Sequence, residues 1–73
     1  MRITFDRDSN TAYLSLSQQH TGDVRHSIVV EDAMVAGEVV LDFDAKSRLI
    51  GIDVRNAARL LPPEVLTRAE RQR

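Results

Sequence analysis

Apolar side chains recur at every second position through most of this chain, and clusters of turn-forming residues close each run. A strand sends successive side chains to opposite faces, so such runs build a sheet with one apolar and one polar face. The first run sets Ile3 and Phe5 on one side and Arg2, Thr4 and Asp6 on the other, before a polar turn over 6–11. The second returns with Ala12, Leu14 and Leu16 inward and Tyr13, Ser15 and Ser17 outward. Setting Phe5 opposite Ala12 brings Ile3 opposite Leu14, and both pairs share the core face.

A second polar turn over 18–23 leads to a third run in which Val24, His26, Ile28 and Val30 share a side. His26 falls on the inward parity, and its place near the start of the strand puts it at the rim. Residues 31–37 break the alternation and read as a loop whose Met34 and Val35 cap one end of the core. The sharpest unit is the last hairpin, where Val39, Leu41 and Phe43 face Val54, Ile52 and Ile50 across a turn at 45–48. That register sets Gly51 opposite Asp42 on the outer face, where the missing side chain leaves room for a neighbour.

Beyond Arg55 the period changes. Asn56 is placed to cap a short helix over 57–61, which Pro62 ends by disfavouring helical geometry at Leu61. Pro63 suits the first turn of a second helix carrying Glu64, Val65, Leu66 and Ala69, with a polar, fraying end over 68–73. The expected fold class is α+β: a five-stranded antiparallel β-meander with a short C-terminal helical segment packed on one face. Residues 1–61 form the domain and 62–73 a C-terminal helical extension.

Two stretches resemble a known bacterial family, domain of unknown function 2283. One is Ile3-Thr4-Phe5-Asp6 followed by Thr11-Ala12-Tyr13-Leu14; the other is Val40-Leu41-Asp42-Phe43-Asp44 followed by Arg48-Leu49-Ile50-Gly51-Ile52-Asp53-Val54. The resemblance covers about residues 1–58 and implies the strand-turn-strand hairpin but no particular chemistry. It also implies an antitoxin-like role, since genes of this type are sometimes found beside presumed toxins. Ser47 stands where many relatives carry a turn glycine, and the 62–73 extension departs from the shared pattern.

Composition narrows the function classes. In 73 residues with 42% hydrophobic and 29% charged side chains, a net charge of -1 and no cysteine, there are no disulfides, thiolate zinc sites or cysteine nucleophiles. A domain this small buries only roughly 60% of its unfolded surface, and one short helix cannot cover five strands. A homo-oligomer or a protein partner is therefore expected to bury the remainder. With neither a signal-peptide core nor an apolar span, the expected setting is cytoplasmic, with no membrane association.

The chemistry-bearing residues point weakly. Asp6, Asp8 and Asn10 match the opening of a calcium loop, but Thr11 stands where glycine is required and Ser17 where a bidentate glutamate is required, so an Asx-rich turn is the reading. Asp42 and Asp44 project the same way roughly 7 Å apart, with Asp53 diagonal to Asp42. Three outer-face carboxylates suit a basic partner, or alternatively a magnesium-assisted hydrolase. His20 and His26 have no spacing that requires a nucleophilic arrangement with the serines. The C-terminal arginines, Arg68 and Arg71 among them, could touch nucleic acid but lack interleaved aromatics. The expectation is a non-catalytic protein-interaction module without cofactor, with Asp42, Asp44, Asp53, Arg68 and Arg71 as its candidate surface.

Overall fold

A computed structural model of the chain describes residues 1–17, 23–32 and 34–72. Its elements run β1 (Arg2–Asp6), β2 (Thr11–Ser15), β3 (His26–Val30), β4 (Glu38–Phe43), β5 (Leu49–Arg55), α1 (Ala57–Leu60), α2 (Pro63–Arg68) and β6 (Glu70–Gln72). Both hairpins pair as the alternation requires. Ile3 stands opposite Leu14 and Phe5 opposite Ala12, while Val39 faces Val54, Leu41 faces Ile52 and Asp42 faces Gly51. The expected Phe43–Ile50 pair does not form, because a register shift after Asp42 brings Phe43 opposite Leu49.

That shift accompanies the turn. The Ser47 amide donates to the Asp44 carbonyl at 3.0 Å and the Asp44 amide to the Arg48 carbonyl at 3.0 Å. Ser47 takes a left-handed backbone, φ 62°, which glycine adopts without cost and other L-residues adopt at roughly 1–2 kcal/mol. Ser47 therefore keeps the turn by accepting the strain.

The sheet is not a meander. Its strand order is β3-β4-β5-β2-β1-β6, with β2 antiparallel to β5 rather than to β3. Seating β5 between β4 and β2 buries Ile50 and Val54 to 8% and 4% exposure, and sends β3, with its polar His26 and Ser27, to the edge. The turn expected over 18–23 lies largely outside the described residues. Nor does the tail fray as a helix: after Arg68 it becomes β6, which runs parallel to β1 with Thr4 opposite Glu70. The Arg2 guanidinium makes a two-pronged contact with Glu70 at 2.9 and 3.0 Å across that junction.

The core lies under the helices. Ala12 and Ala57 have no exposure and Val54 has 4%, with Phe5, Leu14, Ile52, Leu60, Leu61 and Leu66 packed against them. Two alanines at the closest point let α1 sit directly on β2 and β5. Leu16 is 39% exposed and Met34 is 91% exposed, so neither serves the core as expected, although Val35 is half-buried. The Met34 amide donates to Asp32 Oδ1 at 2.8 Å, an Asx turn.

A pair of asparagines locks the corner where the β1–β2 turn meets α1. Asn56 precedes the helix but has a left-handed backbone and makes no side-chain cap. The cap comes instead from Asn10, whose Oδ1 accepts the Ala58 amide at 2.9 Å. Asn10 Nδ2 donates to Asn56 Oδ1 at 2.9 Å, and Asn56 Nδ2 donates to the Ala36 carbonyl. Three segments distant in sequence are thereby tied at one point.

Candidate functional site

Two features stand on the surface that the helices leave open. The first is a chain of polar contacts across the outer face. Ser27 on β3 donates its hydroxyl to Asp42 Oδ1 at 2.7 Å, and Tyr13 on β2 donates to Asp42 Oδ2 at 2.9 Å. Tyr13 reaches β4 by passing over Gly51 on β5. A Cβ at Gly51 would lie 1.8 Å from the Tyr13 hydroxyl oxygen, so the neighbour for which glycine leaves room is this phenol.

Burial, then the hydrogen bond to Asp42, then the charges of Asp42 and Asp53 push the Tyr13 phenol up to about 12. It is a neutral donor at physiological pH. Because the folded phenol keeps its proton to higher pH than the unfolded one, its contribution is complete below about pH 10 and is lost as pH rises toward 12. The protein is expected to lose about 1–2 kcal/mol over that interval after allowance for solvent screening. Tyr13→Phe should remove this part of the alkaline slope in denaturation measured from pH 9 to 12; an unchanged slope would refute the assignment.

The three carboxylates expected to share a face do not. Asp44 lies past the end of β4, and its carboxylate folds back into its own turn. Oδ1 accepts the amides of Lys46 and Arg48 at 2.9 Å, and Oδ2 accepts the Arg48 Nε at 2.9 Å. The Arg48 backbone amide, followed by the Arg48 side chain and the Lys46 amide, holds its carboxyl below the usual range against the opposing effect of burial. Asp53 does lie on the outer face, opposite Tyr13 on one side and Val40 on the other. Its Oδ2 is 3.4 Å from Arg55 Nη2, and its buried Oδ1 has no hydrogen-bond partner. Asp42 has both oxygens occupied from within the chain. Among the described residues no three histidine, cysteine or acidic side chains are placed to hold a metal ion.

The remaining sequence candidates scatter. Asp6 accepts the Asp8 amide at 3.0 Å, an Asx turn. His26 stacks on Phe43 with centroids 5.1 Å apart at the rim of the apolar face, and His20 is outside the described residues. Arg68 is exposed at the end of α2; the backbone of Arg71 stands opposite Phe5 in β6. Arg55, the last residue of β5, lies between Asp53 at 3.4 Å and Glu38 at 4.0 Å. The structure therefore distributes these arginines over separate elements.

The second feature is the edge strand β3. Every residue from His26 to Val30 is exposed, including Ile28 at 50%, Val29 at 49% and Val30 at 39%. The alternation puts Ile28 and Val30 on the core face but does not mark their edge position, because hydrophobic alternation does not specify strand order. No described helix is long and apolar enough to cross a membrane.

The β1–β2 hairpin, the Gly51-bearing β5 and the turn into α1 all fall within one family match. The chain belongs to DUF2283, a family of proteins of unknown function, whose model matches residues 2–57. The match ends at the first helix, leaving α2 and β6 outside it. No curated protein matches the chain. No solved structure matches it either.

Proposed function

We propose that this protein is a non-catalytic interaction module that accepts an added strand along β3. The observation that carries the reading is the exposure of three consecutive apolar residues, Ile28 to Val30, on a sheet edge that no described strand pairs. Such an edge offers outward amides and carbonyls for main-chain pairing, and its side chains offer apolar contact on both faces. Val29 supplies the outer face; Ile28 and Val30 supply the inner face beyond the reach of the helices. The outer-face carboxylates serve the fold in this reading, since Asp42 ties Ser27 to Tyr13 and so stiffens the strand that is offered. An antitoxin-like role, in which the partner is a second protein held by this edge, is one form of such a module.

The test is recovery of the tagged protein from its host at native abundance, beside an Ile28→Lys/Val29→Lys variant whose circular dichroism matches the parent. The parent is expected to retain a stoichiometric protein, a further copy of the same chain included, and the variant to lose it. A parent recovered alone and monomeric at micromolar concentration would overturn the reading.

A further inference from the structure

We infer that β3 pairs antiparallel with β3 of a second copy, with the two-fold axis passing through Ile28. This rests on the reading of β3 as a strand-accepting edge and names its occupant. A two-fold normal to the sheet keeps each face on its own side, so the axis must pass through a residue and opposed side chains share a face. Centring on Ile28 sets Ile28 against its own symmetry mate, Ser27 against Val29, His26 against Val30, and Arg25 against Glu31. The last pair carries the argument. Arg25 and Glu31 flank the strand at equal distances from Ile28, are both exposed, and lie on the outer-face parity with Ser27 and Val29. Across the axis they would form two opposite-charge pairs, one at each end of the junction.

Neighbouring registers lack this match. Centring on Ser27 leaves Arg25 facing Val29, with no opposite charge across from it. Centring on Val29 sets Glu31 against Ser27, whose hydroxyl is already committed to Asp42 at 2.7 Å. Like charges directly opposed across strands are destabilising and unlike charges favourable, so the Ile28 register is selected. Among the described residues α1 packs on β2 and β5, away from this edge. A net charge of -1 per chain adds little repulsion between copies.

The chain has no cysteine, so single introduced thiols report the register in the full-length protein. Directly opposed Cα atoms lie about 4.5–5.5 Å apart, within disulfide reach. Ile28→Cys should therefore oxidise to a covalent dimer, while Val29→Cys should not. An equal mixture of Arg25→Cys and Glu31→Cys should cross-link although neither does so alone. Light scattering should show a dimer for the unmodified chain. Arg25→Glu should raise its dissociation constant roughly tenfold, and adding Glu31→Arg should restore it. A folded monomer at micromolar concentration overturns the inference. So does a dimer in which Val29→Cys closes instead, or in which no β3 thiol closes. If the chain is monomeric alone but still retains a different protein through Ile28 and Val29, only the identity of the occupant fails, and the strand-accepting role stands.

Discussion

Gly51→Ala is expected to destabilise the protein by roughly 2–4 kcal/mol, a loss read by thermal or urea denaturation. Glycine inside a strand ordinarily costs stability relative to alanine, so the usual sign of this substitution is a gain of about 0.5–1 kcal/mol. Here the sign reverses, because the new methyl would lie 1.8 Å from the Tyr13 hydroxyl oxygen and 2.5 Å from Cζ. The ring must swing away, which forfeits its bond to the Asp42 carboxylate as well as its packing across β5. Overpacking of this kind costs typically 1–3 kcal/mol, and a hydrogen bond to a charged group about 1.5–3 kcal/mol. In a Tyr13→Ala background the penalty should vanish, since the two positions couple directly. A Gly51→Ala protein as stable as the parent would remove Tyr13 from its assigned place.

Asn10→Ala is expected to cost about 2–3 kcal/mol. It removes the cap on the Ala58 amide, worth roughly 0.5–2 kcal/mol, and the side-chain link to Asn56. It also places a residue with a Cβ and no compensating polar group at φ 56°, where the left-handed backbone adds roughly 1–2 kcal/mol of strain partly relieved in asparagine. Asn10→Gly separates these contributions: it loses the same hydrogen bonds but relieves the strain, and should fall between the parent and the alanine variant in urea denaturation. Equal losses for glycine and alanine would show that the backbone conformation contributes nothing.

The parts of this fold legible in the sequence are the local ones. Period-two alternation with short turns specifies the Phe5–Ala12 and Leu41–Ile52 registers, because a slip of one residue would turn an entire apolar set toward water. The vacancy beside Gly51 was legible for the same reason. Its occupant was not, since Tyr13 reaches Gly51 only when β2 lies beside β5, and that pairing joins segments about forty residues apart without a pattern to announce it. The helix cap falls to Asn10 rather than to the expected Asn56 on a similar ground: the side chain that performs it arrives through tertiary contact.

Of the candidate surface, Asp42 and Asp53 keep their expected face, whereas Asp44 leaves it because the alternation ends one residue earlier, at Phe43. An aspartate at the mouth of a turn finds backbone amides closer than any partner protein could be. Strand β6 was illegible because Glu70-Arg71-Gln72 carries no apolar alternation. Its pairing is supplied by the open side of β1 and by the Arg2–Glu70 contact.

That last strand sets a limit on growth. A sheet with two receptive borders invites each molecule to recruit another at either side, and head-to-tail addition of that kind propagates as a fibre. In this protein the tail folds back as a three-residue ribbon along β1, too short to template a further chain. Among the described strands β3 is left to recruit, so if copies pair there as inferred, accretion through the sheet has a stopping point: two molecules joined at one seam, each with Thr4–Asp6 of its far border already covered by its own C-terminal strand.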